Sequence, residues 1–224
     1  KNIYTSANNA FTTSNAVAGK INDTSVLVQG SYVTGHQTET NGDTGGYGTT
    51  RTEANPEDFG NYSILGKLTH SIDNVHTFTL TGETFQANSS TDAMASQSLT
   101  GNYRPGNYTT GEDGSRQRVS LTYDYDAAAP GGFADRAQAI LYWQNLEQTD
   151  STNAWRSTSV IGPYIRENTN QIQEYGLTGF AEKALTLGGY ENRITWGGEF
   201  YMTDTSQYSA GLDNCPPNAT TSPC

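Results

Sequence analysis

Arg118-Val-Ser-Leu-Thr-Tyr-Asp-Tyr-Asp126 decides the fold. Val119, Leu121, Tyr123 and Tyr125 alternate with Ser120, Thr122 and Asp124. A period of two belongs to a strand with one apolar and one polar face. Ala127 to Ala134 follows, with Pro130 and Gly131-Gly132 as turn formers. Arg136 to near Gln148, through Ile140, Leu141, Tyr142 and Trp143, reads as the return strand. It is longer than the mean strand of a soluble sheet. Arg116 to Gln148 is therefore a hairpin, and the rest of the chain repeats it.

The same alternation recurs outward from this hairpin. Ser25 to Gly35 places Val26, Val28, Gly30 and Tyr32 opposite Gln29 and Ser31. Phe59 to Ser71 sets Tyr62, Ile64, Gly66 and Leu68 against Ser63, Lys67, Thr69 and Ser71. Val75 to Ala87 sets Phe78, Leu80 and Gly82 against Thr77, Thr79, Thr81 and Glu83. Gln171 to Ala184 is a strand around Tyr175, Leu177, Gly179 and Ala181. Asn192 to Asp204 sets Ile194, Trp196, Gly198, Phe200 and Met202 against Arg193, Thr195, Glu199, Tyr201 and Thr203. The weakly patterned opening, Lys1 to Gly19, reads as one more strand, which makes about eight in all.

Composition agrees with strands that keep one wet face. Only 33% of the 224 residues are hydrophobic and 16% are charged, yet there are 14 Tyr, 7 Phe and 3 Trp. That many aromatics argues against disorder. A net charge of -11 disfavours nucleic acid, because nothing would neutralise phosphates. There is no apolar run long enough for a membrane helix, but a β-barrel spans with alternating residues and leaves no such run. With no initiator Met and no signal-peptide pattern, the chain is expected to begin after any targeting segment.

The connections extend the reading. Short turns fall near Asp23, Asp73, Pro130 and Gly188. Long polar inserts fall between them, at His36 to Asp58, Asn88 to Ser115 and Thr149 to Thr169, and a fourth starts at Thr205. Strict alternation of short and long connections is the pattern of an outer-membrane barrel, with short periplasmic turns and long extracellular loops. The expected fold is thus all-β: antiparallel, up-and-down, and part of a transmembrane β-barrel that takes in residues 1–224. Tyr32, Tyr123, Trp143 and Trp196 are candidates for its aromatic girdles.

Several stretches resemble TonB-dependent outer-membrane receptors, and within them the haem/haemoglobin (transferrin/lactoferrin) receptor subgroup. They are Gly35-His-Gln-Thr-Glu-Thr-Asn-Gly42, Arg51-Thr-Glu-Ala-Asn-Pro-Glu-Asp-Phe59 and Ser63-Ile-Leu-Gly-Lys-Leu68. Tyr4-Thr-Ser-Ala-Asn-Asn9, Arg118-Val-Ser-Leu-Thr-Tyr-Asp-Tyr125, Ala139-Ile-Leu-Tyr-Trp-Gln144 and Glu182-Lys-Ala184 are similar to that subgroup too. The resemblance implies a bacterial outer-membrane barrel of about 22 strands. Its lumen would be filled by a plug and driven by the TonB complex, and this chain would supply half of its strands or fewer. Plug, TonB box and main haem-ligating loop would lie outside the chain.

The chemistry-bearing residues are few. His36 enters the first insert and is a candidate haem-iron ligand, imidazole being the right ligand type; a solvated surface histidine is the alternative. His70 and His76 flank the Asp73-Asn74 turn, as a metal pair or as turn-end residues. Tyr47, Tyr103, Arg104, Tyr108 and Tyr164 lie in the inserts, where Tyr and Arg make binding surfaces or pack the loops. Glu57-Asp58 and Glu112-Asp113 are calcium candidates or solvated loop charge. Cys215 and Cys224 would close a small disulfide loop in an oxidising compartment, or stay free in a disordered end. No phosphate loop, nucleophile elbow or zinc signature occurs, so nothing reads as an enzyme's active site.

The expected function is uptake of haem, or of iron from a haem- or haemoglobin-type carrier, with outer-membrane lipid as a further partner. A siderophore receptor, a passive porin-like barrel and a secreted β-domain adhesin are the alternatives.

Overall fold

A computed structural model of the chain describes residues 1–73, 75–127, 132–158 and 160–214. They form one antiparallel sheet of nine strands in chain order, each paired with its sequence neighbour. The strands are β1 (Asn2–Thr5), β2 (Ala10–Ile21), β3 (Thr24–His36), β4 (Glu57–Ile72), β5 (His76–Asp92), β6 (Tyr103–Asp126), β7 (Arg136–Arg156), β8 (Gly162–Leu187) and β9 (Tyr190–Asp213). The sheet is open, with β1 and β9 as its edges. The expected all-β, up-and-down topology is present.

Register aligns the apolar positions across the sheet. Val26, Leu68, Leu80, Leu121, Leu141, Leu177 and Phe200 are successive cross-strand partners from β3 to β9. Two positions nearer the loops run Val28, Gly66, Gly82, Val119, Trp143, Tyr175 and Met202. Both rows lie on one face. The opposite face is a ladder of polar pairs: Ser31–Ser63 at 2.7 Å, Thr69–Thr79 at 3.1 Å and Ser71–Thr77 at 3.1 Å. Gln138 Nε2 donates to Asp124 at 2.7 Å and Tyr142 Oη to Glu174 at 2.8 Å. Gly176, opposite Tyr142, leaves the room that this ring occupies; a Cβ there would stand 2.3 Å from it.

The hydrophobic residues buried among those described are all alanines: Ala10, Ala93, Ala134 and Ala154. Large apolar side chains such as Val28, Leu121, Leu177 and Phe200 stand exposed on the apolar face. A water-soluble fold buries such residues.

Four expectations are corrected. Lys1 to Gly19 is not one strand: β1 and β2 are joined by a 3-10 turn at Ser6–Asn8, with Asn9 in the left-handed region. The described sheet therefore has nine strands rather than eight. The inserts at Asn88 to Ser115 and Thr149 to Thr169 are largely strand, leaving connections at 93–102 and 157–161 only. β9 likewise continues past Thr205 to Asp213. The reason is the same each time: polar residues join a ladder when neighbouring strands satisfy their backbone groups, and solvent can cover both faces. Finally, the alternation of connection length is not strict. The segment 127–135 is longer than 157–161, although the 37–56 insert and the tight Gly188-Gly189 turn keep the extremes at opposite ends. Both glycines of that turn have positive φ, as a type I′ hairpin requires.

Candidate functional site

The loop end of the sheet carries a cluster of aromatic and charged side chains. Within β6 the register jumps: Tyr103 pairs with Arg156 and Tyr108 with Ala154, so Arg104-Pro105-Gly106-Asn107 bulges opposite Trp155 alone. Pro105 cannot donate to a ladder, and Gly106 takes φ 79°, so the sequence supplies both elements of the bulge. The bulge brings the Tyr103 and Tyr108 rings to 4.6 Å between centroids, and Tyr164 of β8 stands 6.4 Å from Tyr103.

Two guanidiniums flank Tyr164, Arg156 at 5.1 Å and Arg166 at 4.5 Å from its ring centre. Both reach Asp213 of β9; the Arg166 Nη2 bond is 2.6 Å. Arg156 is only 3% exposed, and its Nε has no hydrogen-bond partner among the described residues. Two cations on one carboxylate leave the cluster with an excess positive charge. Burial, and then the neighbouring Tyr108 and Tyr164, raise the Tyr103 phenol above its ordinary pKa. An aromatic surface backed by guanidinium can stack on a planar group and hold an acidic one.

Gln97 fixes this end from behind. It has no exposed surface. Its Nε2 donates to Asp92 and, at 3.2 Å, to the Tyr108 carbonyl, while Oε1 accepts the Gly106 N–H at 2.6 Å. The two loops also meet: Gly48 N–H donates to the Met94 carbonyl at 3.0 Å, and Ala95 N–H to Asn55 Oδ1 at 2.9 Å.

Of the sequence candidates, Tyr103, Arg104 and Tyr108 share the bulge, and Tyr164 joins them from a strand rather than a loop. Arg104 Nη1 donates to the Leu99 carbonyl and so braces the 93–102 loop. Tyr47 lies in the 37–56 loop, partly exposed. His36 ends β3, three strands from β6 and so about 14 Å away by strand spacing. Its Nδ1 sits 2.5 Å from Asp58 Oδ1, with both side chains mostly exposed. Residues Cys215 and Cys224 lie outside the described residues, and with them the expected disulfide.

The metal candidates separate. His70 Nδ1 is 2.9 Å from Thr24 Oγ1, whereas His76 Nδ1 is 2.8 Å from Tyr123 Oη and stacks on that ring. Glu57-Asp58 and Glu112-Asp113 are adjacent strand residues, which point to opposite faces and cannot close on one ion. Among the described residues no group of three or more His, Cys, Asp or Glu could hold a metal.

Sequence reasoning missed Arg156, Arg166, Asp213 and Gln97. Tyr164 and Arg166 two apart on one strand face were a usable signal once Thr149 to Thr169 is read as strand. Arg156 and Asp213 meet only through pairing. No protein-family model matches the chain, and no curated protein matches it.

Proposed function

We propose that this chain is a section of an outer-membrane β-barrel receptor of the TonB-dependent class, importing haem or a related iron complex. The observation that supports it is the shape of the apolar band. On β4 it runs from Tyr62 to Ile72, about 34 Å of strand at ~3.4 Å per residue. On the apolar face of β6, β7 and β9 it spans Val119–Tyr125, Ala137–Trp143 and Ile194–Met202, with no Asp, Glu, Lys or Arg on that face in these spans.

The band is also oblique to the pairing. Tyr62, its upper limit on β4, lies in a row that continues through Gln86, Ser115, Glu147 and Gln171 to Ser206. On β9 the band stops at Met202, four residues nearer the turns and five strands away. With ~3.4 Å per residue and ~4.8 Å per strand, that offset is a tilt of about 30°. Strands of transmembrane barrels tilt by ~35–45° around a band ~25 Å tall. At 30° the 34 Å of β4 stands about 29 Å tall. Lipid accounts for the exposed apolar face, water in a lumen for the polar one. A secreted adhesin would leave that band in water.

The Tyr103/Tyr108/Tyr164 cluster with Arg156 and Arg166 stands on the lumen side at the extracellular mouth, where an incoming acidic, planar ligand meets it. The 37–56 loop presents Tyr47, and the β6 bulge beside the 93–102 loop presents Arg104, to a carrier protein. The test is growth of the source bacterium on haemoglobin as sole iron source, with and without the intact gene, alongside membrane fractionation. Loss of growth together with outer-membrane recovery is expected. Recovery in the secreted fraction would reject the proposal, and unchanged growth would reject the ligand.

A further inference from the structure

Tyr62 closes the apolar band on β4, and a hollow of about 520 Å³ opens just beyond it on the same face. Two neighbouring rows make its floor. Gly60, Asn88 and Asp113 are successive cross-strand partners from β4 to β6, and Asp58, Ser90 and Gly111 form the row beside them. Gly60 and Gly111 lie diagonally across the floor and, without side chains, keep it low. Tyr32 of β3, 48% exposed, stands on the band side of the hollow. The volume lies within the range of small-molecule sites, ~300–1,000 Å³.

Most polar groups of the hollow face it unengaged. Asp58 meets His36 Nδ1 at 2.5 Å. Tyr32, Asn88, Ser90 and Asp113 make no side-chain hydrogen bond with the described residues. On this face β3, β4, β5 and β7 carry no Lys or Arg, and neither does β6 over residues 109–125.

A hydroxyl-rich ring uses such a set. The carboxylates accept its hydroxyl protons, the Asn88 amide and the Ser90 hydroxyl both donate and accept, and Tyr32 offers an apolar ring face with a hydroxyl at its tip. A phosphate would meet two carboxylates and no cation from Lys or Arg. An ammonium group would engage one carboxylate only, because Asp58 and Asp113 lie two strands and two residues apart, about 12 Å. Position identifies the source. Gly60 lies about 7 Å beyond Tyr62, at the level where a lipid's headgroup follows its acyl chains.

We infer that this hollow binds the saccharide headgroup of a glycolipid, with the sugar over Gly60 and Gly111 and the acyl chains along the apolar band. The inference rests on the outer-membrane reading, which puts lipid against this face, and is independent of haem as cargo.

The test holds the full chain in a sugar-free polyoxyethylene detergent. Digalactosyldiacylglycerol, phosphatidylethanolamine and phosphatidylglycerol with identical acyl chains are added in equal amounts, and native mass spectrometry counts the lipids retained. The glycolipid should be retained about tenfold over either phospholipid, the worth of one hydrogen bond to a charged group. Asp113→Ala should remove that preference, and Asn88→Ala should reduce it by about fivefold, the worth of a neutral hydrogen bond. Gln173→Ala, elsewhere on the same face, should leave it unchanged. Excess methyl β-galactoside should leave most of the glycolipid bound. Complete displacement by this soluble sugar would overturn the assignment to a lipid headgroup. A preference for either phospholipid would overturn the inference, as would wild-type preference in both variants. Equal retention of the three lipids would overturn it and leave the outer-membrane reading standing, whereas retention of none would overturn both. The comparison among lipids needs no variant, so misfolding of a mutant does not shield the inference.

Discussion

Gln97, with no exposed surface, holds the β6 bulge through both ends of its amide. Gln97→Ala leaves the Gly106 N–H without its acceptor at ~1–3 kcal/mol, while the Tyr108 carbonyl keeps the Ala93 N–H. Hydrogen exchange should show lost protection around residues 93–108, while β6 at Val119–Tyr125 keeps its own. Equal protection in mutant and wild type would mean that the bulge is held by its backbone alone. Tyr103 gives a pH prediction. Its folded pKa is raised, so the native state holds the phenolic proton to higher pH than the unfolded chain does. The stability it contributes is complete below the ordinary tyrosine pKa of ~10 and is lost as pH rises through the raised value. Phenolate absorbance should therefore show a late-titrating component that is smaller by one tyrosine in Tyr103→Phe.

Strand faces set the effects at the scale of the element. Leu121 lies in the central apolar row and its neighbour Thr122 on the polar face. Leu121→Arg should cost ~2–4 kcal/mol of folding stability in bilayers and Thr122→Arg far less; equal effects would contradict the assigned faces. Thr79 is unsuited to this comparison despite its polar position, because it is buried and bonded to Thr69 at 3.1 Å. The loops act as a pair, since 37–56 and 93–102 are hydrogen-bonded to each other. Deleting either should weaken carrier binding and leave the strands assembled. His36→Ala should matter little, because its contact with Asp58 is exposed and such pairs contribute ~0–1 kcal/mol. Haem uptake abolished by His36→Ala alone would show that this histidine ligates.

At the scale of the whole molecule, the apolar belt and the β9 edge make water a poor solvent for this chain. β9 offers its outer backbone groups over Tyr190–Asp213, and nearly all of its residues are exposed. A long unpaired apolar edge is a template for association. Residues 1–224 alone should sediment as aggregate in buffer and remain dispersed in detergent. A monodisperse species in buffer would point to a soluble sandwich and against lipid as the partner of the apolar face.

The sequence by itself determined that β3 to β9 are strands, and which faces they share. Leu121, Leu80 and Leu177 alternate with Thr122, Thr79 and Thr178, and the period of two is local information carried by each strand separately. It also placed the tight reversal at Gly188-Gly189, because positive φ at both positions favours glycine. Strand ends were decided only by the tertiary structure. Thr109 to Ser115 and Thr149 to Asn153 are polar on both faces, so nothing local separates them from loop; their ladders form because β6, β7 and β8 run long together. The site was divided in the same way. Tyr103, Arg104 and Tyr108 are close in sequence and were legible. Arg156 and Asp213 are brought to them by pairing across β6–β9, a relation between distant residues that no single stretch of sequence carries.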